Sequence, residues 1–207
     1  MTSVPMLHRV LLVSFVVVLA WSGIAPRDGL TWLLEVLPAI LGAVVLVALY
    51  PSRRLTDLVL VLVWIHAVIL CVGGHYTYAE VPAFNWLRDE FGLARNYYDR
   101  VGHLAQGFVP AMVAREILLR VGVVNGRRWL FFLVTCICLA ISACYEFIEW
   151  WVALASGQAA EAFLGTQGDV WDTQWDMFLA FIGAMVGQLL LGAWHDTQLS
   201  RRRGRRR

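Results

Sequence analysis

The sequence predicts an all-α polytopic membrane protein, a single bundle of about six transmembrane helices. Three observations predict it. Hydrophobic residues make up 59% of the 207-residue chain, and the mean hydropathy is +0.65; soluble domains are about half apolar. The apolar residues gather into runs at 8–24, 30–50, 55–73, 98–121, 128–151 and 174–195, near the ~20 residues a helix needs to cross a hydrocarbon core. Basic residues collect at alternate ends of these runs. The short alternating segments of a β-barrel are absent.

The first run sits where a signal peptide would. Its apolar stretch is long and no small-x-small site precedes Pro26, so we read it as a retained helix. Arg53 and Arg54 follow the second run. Arg120, Arg127 and Arg128 flank the connection after the fourth, and "RRRGRRR" ends the chain. The positive-inside rule places all of these in the cytoplasm, with both termini. The connection after the fifth run has no Arg and is placed outside. The connection after the third is mixed, with Arg88 and Arg95 against Glu80, Asp89 and Glu90, and does not oppose that orientation. Residues 1–200 then form one membrane domain and 201–207 a basic cytoplasmic tail. The tail anchors topology and touches anionic lipid; it predicts no nucleic-acid partner.

Between the third and fourth runs, "FNWLRDEFGL" predicts a short interfacial helix with Phe84, Trp86 and Phe91 in the head-group layer. Trp32, Trp150, Trp151, Trp171 and Trp175 mark the outer boundary, and Tyr50 and Trp129 the inner one, as an aromatic belt. Gly183 and Gly187 give the sixth helix a small-residue face for close helix contact. Cys71, Cys136, Cys138 and Cys144 lie in apolar segments with no CxxC pair, which predicts packing residues, no disulfide and no cysteine-held metal.

The polar residues meet at one depth. Asp99 and His103 are four apart on the fourth helix, and Gln106 continues their face. Glu146 and Glu149 are three apart near the outer end of the fifth. Asp172 and Asp176 open the sixth, behind Asp169. His75 follows the outer end of the third, and Glu35 lies just inside the outer end of the second. The candidate ligands in this layer are His75, Asp99, His103, Glu146, Glu149, Asp169, Asp172 and Asp176. Arg95 and Arg100 are the only cations nearby, and helical spacing turns Arg100 away from the Asp99/His103 face. Two like charges at 4 Å repel by about 4 kcal/mol at an effective dielectric near 20. So many carboxylates need a bound divalent metal (Zn²⁺, Mg²⁺ or Mn²⁺), shared protons, or separation in water. His66 is expected to be a packed, hydrogen-bonded histidine. Glu116 and Arg120 are expected to form an i,i+4 pair, and Asp57 a surface pair or helix cap.

"RNYYDRVGHLAQGFVPA", "YEFIEWW" and "AEAFLGTQGDVWDTQWDM" together resemble the YjdF-like family of bacterial inner-membrane proteins, over nearly the whole chain. The resemblance implies a location, the inner membrane, but no reaction, because the family has no established activity. A looser similarity is to VanZ-like membrane proteins. There Asp99 and His103 match a D-K-x-x-H pair, with Arg100 for Lys. Glu146 matches an acid on the next helix, with Glu149 where a Gln is expected. Asp169 and Asp172 match a D-x-x-D-x-x-x-N motif, with Asp176 in place of the Asn.

Three functional classes remain open. One is a metal-dependent enzyme acting on a lipid or cell-envelope head group. Its catalytic candidates are Asp99, His103, Glu146, Asp172 and Asp176, as ligands or general acid/base groups. The second is a proton- or cation-coupled transporter, although no inverted repeat is visible. The third is a non-catalytic assembly or lipid-binding protein. The bilayer is the partner in all three.

Overall fold

A computed structural model of the chain describes residues 4–156 and 161–204. Its elements are α1 (Met6–Ser22), α2 (Gly29–Arg53), α3 (Asp57–Tyr76), a 3-10 turn (Tyr78–Glu80), α4 (Pro82–Phe91), α5 (Tyr98–Val121), α6 (Arg127–Ser156), α7 (Glu161–Leu164) and α8 (Asp172–Gly204). The six predicted runs fall on α1, α2, α3, α5, α6 and α8. Four of these, α2, α3, α6 and α8, are long and apolar enough to cross a membrane. A count of six needs two more. One is α1, apolar but only 17 residues long; the other is α5, which carries charged residues at both ends. Helix α8 runs on through Arg201 to Gly204, so no helix end separates the basic tail from the bundle; its last three residues lie outside the described ones.

α5 and α8 are in backbone contact. A Cβ placed on Gly107 would stand 1.8 Å from the Ala180 carbonyl oxygen, and one on Gly183 would stand 2.2 Å from that of Leu104. The small-residue face predicted on the last helix therefore meets a matching notch on α5. In lipid, where tails are as apolar as leucine, such close dispersion contact is a main source of helix association. α6 closes over this pair through Leu130, Val134 and Cys138, which pack on Ala111 and Ala184. α3 ties the pair to α1 and α2. There Phe15, Val36, Ala39, Ala67 and Cys71 form a second apolar cluster. All four cysteines are free thiols, two of them buried in these clusters.

α4 is the predicted interfacial helix, with Trp86 and Phe91 exposed. Phe84 is not in the head-group layer: its ring packs edge-on against Tyr98 at 5.2 Å, because its helix face turns inward. Trp150, Trp151, Trp171, Trp175 and Trp129 are exposed, as a belt requires. Trp32 instead packs inward and donates its indole N–H to Ser22 Oγ at 3.0 Å, joining α2 to the end of α1.

The bundle has a basic end and an acidic end. At the basic end the fully buried Glu116 accepts from the Thr56 backbone N–H (2.9 Å), the Thr56 hydroxyl (2.6 Å) and His195 Nε2–H (3.0 Å), and pairs with Arg120. Arg115 donates to His195 Nδ1 and to Asp196, both at 2.8 Å. An arginine can only donate, so His195 accepts through Nδ1 and donates to Glu116 through Nε2. The expected Glu116–Arg120 pair is thus one edge of a knot joining α3, α5 and α8. Asp57 is the expected surface pair, held by His8 and Arg202, each at 3.2 Å.

Candidate functional site

The acidic end is built where α3 finishes and α5 and α8 begin. Asp99 and His103 share a face of α5, as their spacing requires; His103 Nε2 stands 3.3 Å from Asp99 Oδ1 and 3.7 Å from Asp176 Oδ1 on α8. Asp169 closes the turn that leads into α8: its Oδ1 accepts from the Trp171 N–H at 2.9 Å. Carboxylates are favoured at this helix end because its N–H groups lack partners.

The arginines are where sequence spacing misled. Arg100 does not point away. It donates to Asp172 Oδ1 (2.8 Å) and Asp169 Oδ2 (3.0 Å), bonds Asp176, and lies 3.6 Å from Asp99 Oδ2. A one-residue offset turns the Cβ by ~100°, but the long guanidinium arm sweeps back across the α5–α8 seam. Arg95, in the connection before α5, folds in as well. It is buried, donating to Asp172 Oδ1 (2.6 Å), Asp99 Oδ2 (3.4 Å) and the Gly165 carbonyl (3.0 Å). The four aspartates are therefore cross-braced by two guanidiniums, a fourth means of compensation beside metal, protons and water. Burying these charges has a large desolvation cost, and removing one partner leaves the other stranded.

The glutamates are different. Glu146 and Glu149 lie on α6, facing His103. Ligand atoms of His103, Glu146 and Glu149 all fall within 4.8 Å of one another, as do those of Asp99, His103 and Asp176. Glu146 is buried, and its Oε1 has no hydrogen-bond partner among the described residues. Seven carboxylates (Glu35, Asp99, Glu146, Glu149, Asp169, Asp172 and Asp176) thus share this end with Arg95 and Arg100. His103 Nδ1 lies 2.9 Å from Gln106 Oε1. With Gln106 accepting, Nδ1 carries a proton, and Nε2 faces Asp99 and Asp176, where it donates to Asp99 or, once deprotonated, can bind a cation. That is how a second-layer partner orients a metal-binding histidine.

Other predicted positions lie elsewhere. His75 is held at the α1–α3 joint, its Nδ1 3.0 Å from the Ser22 carbonyl oxygen and its ring 4.6 Å from that of Trp21. Glu35 turns inward: it is buried and accepts a long hydrogen bond from Tyr145 at 3.4 Å. His66 is packed, but its Nε2 is buried without a hydrogen-bond partner among the described residues, so the expected bond is missing there. Both Glu35 and His66 line a cavity of about 650 Å³ that also reaches Asp99, His103 and Glu149.

Sequence reasoning missed Asn96 and Gln167. Asn96, fully buried, donates through its amide to the Val81 carbonyl (3.0 Å) and Asn85 Oδ1 (2.8 Å), and accepts from the Tyr98 N–H (3.0 Å). Gln167 exchanges two 2.9 Å bonds with the backbone of Asn96. Together they lash the segment before α8 to the segment before α5, which sets the reach of Arg95. Asn two residues before a helix is a recognisable turn signal; Gln167 carries none.

A family model described as "Predicted membrane protein (DUF2238)" matches residues 7–197. The chain is also 50% identical, over 197 residues, to the inner membrane protein YjdF of Escherichia coli (strain K12), covering 95% of this chain and 94% of that protein. No solved structure matches. Because the matched range runs from the start of α1 into the last turns of α8 and includes every residue of the acidic end, this chain belongs to the DUF2238 family of membrane proteins.

Proposed function

We propose that this chain is a six-crossing protein of the bacterial inner membrane, with both termini cytoplasmic, that holds a divalent cation at its periplasmic, acidic end and uses it on the polar head of a lipid or envelope precursor. The inner-membrane location rests on the family and on the name of the Escherichia coli relative. The orientation rests on the Arg clusters at the opposite end.

The observation that carries the reading is the stranded oxygen of Glu146. Arg95 and Arg100 brace the aspartates, yet Glu146 Oε1 is buried beside Glu149 and His103 with no donor among the described residues. A buried carboxylate oxygen without a partner is costly, and a cation removes that cost. One imidazole nitrogen and two carboxylates form a donor set for Zn²⁺ or Mn²⁺, with Mg²⁺ the weaker fit. Bound there, the cation would polarise a phosphate ester or lower the pKa of a water. His103 Nε2, Glu146 and Glu149 would hold it, Gln106 orients His103 through Nδ1, and Asp99 and Asp176 face the same space from the Nε2 side. The transport alternative is less well supported, because the cavity leading away from this site has a mainly apolar wall and makes a poor ion path.

The test is metal analysis of the detergent-purified protein together with its melting temperature. Chelator is expected to lower the melting temperature at neutral pH, and Zn²⁺ or Mn²⁺ to restore it. Saturation at 100 times Kd corresponds to about 2.7 kcal/mol. Glu149→Gln is expected to blunt the response. A protein that carries no metal and melts identically with and without chelator overturns the reading.

A further inference from the structure

The cavity beside the acidic end has the shape of an amphiphile. One face of α2 lines it along nearly the full helix, through Glu35, Ala39, Gly42, Leu46 and Tyr50 at the helical repeat. Fifteen residues separate Glu35 from Tyr50, which at 1.5 Å per residue is roughly 22 Å of depth. That is well beyond the ~15 Å of a single leaflet's hydrocarbon. Polar groups crowd the acidic end, where Glu35, Tyr78, Asp99, His103, Tyr145 and Glu149 meet; His66 stands part-way along, and His8, Arg9 and Tyr50 close the opposite end. Between the two ends the wall is largely leucine, valine, alanine and proline from α1, α2 and α3. Leu12 of α1 and Val47 of α2 line the cavity and are also 45% and 54% exposed, so the slot opens sideways toward the bilayer between these helices.

We propose that this cavity binds one hydrocarbon chain of a membrane lipid, entering between α1 and α2, with the lipid's phosphate head at the Glu35–His103–Glu149 end. Volume and length agree on the occupant. At about 30 Å³ for a water-sized unit, 650 Å³ holds on the order of 20 methylene-sized groups. Such a chain, nearly extended, matches the roughly 22 Å of depth estimated from the helical rise. Water is a poor occupant, since it needs two to four polar partners and the lower wall offers few. The phosphate assignment rests on the cation proposed at His103, Glu146 and Glu149: without it, the carboxylates at this end would repel an anion. The tail assignment rests on shape and wall chemistry alone.

The probe is a single-chain alkyl phosphate of about 20 carbons bearing a photoreactive diazirine at mid-chain, added to the full-length protein in detergent. After irradiation, adducts are expected on cavity residues such as Ala43, Val63 and Trp64. Adducts confined to the lipid-facing Val44, Val45, Leu189 and Leu190 overturn the tail site. Gly42 gives the second arm. A Cβ there meets no atom within 4 Å, and Gly42 lines the cavity, so Gly42→Phe starts from open space at the slot wall. Loss of the cavity adducts in Gly42→Phe, with its melting temperature kept, supports the site; undiminished adducts overturn it. Chelator separates the two proposals. Cavity adducts in a protein whose melting ignores chelator sustain the tail site and overturn the cation. A chelator-sensitive melt without cavity adducts does the reverse.

Discussion

Gly107→Ala tests whether the acidic site depends on the α5–α8 seam. The added methyl carbon would lie 1.8 Å from the Ala180 carbonyl oxygen, against an ordinary separation of roughly 3.5 Å. The shortfall is about 1.7 Å. The obstacle is helix backbone, not the flexible end of a side chain, so the helices themselves must part. Gly107 lies one turn below His103 and two below Asp99 and Arg100. Parting the seam by that amount would stretch the 2.8 Å Arg100–Asp172 bond beyond 4 Å, outside hydrogen-bonding range. Overpacking of this kind costs about 1–3 kcal/mol and occasionally more. For a chain of this size that corresponds to a fall in melting temperature on the order of 10 °C at the upper end. Scanning fluorimetry in detergent reads it, using the ten tryptophans. Gly42→Ala is the control: it sits in a helix, meets nothing within 4 Å, and is expected to be neutral or stabilising by up to ~1 kcal/mol. If Gly107→Ala melts with the parent, or Gly42→Ala falls as far, the close seam does not hold the site together.

Three further outcomes are expected. Arg100→Leu leaves Asp169, Asp172 and Asp176 short of a donor and is expected to cost about 3–5 kcal/mol in thermal or denaturant unfolding; Arg100→Lys recovers only part, because an ammonium cannot span three carboxylates. At the other end, Glu116→Ala leaves the Thr56 N–H and hydroxyl and His195 Nε2 without their buried acceptor and is expected to destabilise by about 3–5 kcal/mol, with metal content unchanged because the two ends share no ligand. A reporter active only outside the cytoplasm, fused after Gly157, is expected to be active, and one fused after Gly126 silent; the reverse pattern overturns the periplasmic placement of the acidic end.

Much of this molecule is legible residue by residue. Apolar run length alone marks α2, α3, α6 and α8, because a hydrocarbon solvent demands that each crossing satisfy its own backbone. Helical spacing alone pairs Asp99 with His103, Glu146 with Glu149, and Glu116 with Arg120, since side chains three or four apart must share a face. The small-residue face of α8 is likewise visible in Gly183 and Gly187. All of these are local properties of one helix.

What compensates the acids is not local, and only the tertiary structure decided it. Arg95 lies outside any predicted helix, and Arg100 sits on the wrong side of α5 by spacing. Both reach the aspartates because their arms are long and because Gln167 and Asn96 lash the segment before α8 against the segment before α5. His75 illustrates the converse: it matches the layer in depth, but packing turns it to Ser22 and Trp21. The cavity has no sequence signature at all. Its α2 face reads as an ordinary lipid-facing stripe, and becomes a slot only because α1 and α2 both lean on α3. Periodicity reports which face of a helix is apolar; whether lipid, protein or an enclosed space meets that face depends on helices far away in the chain.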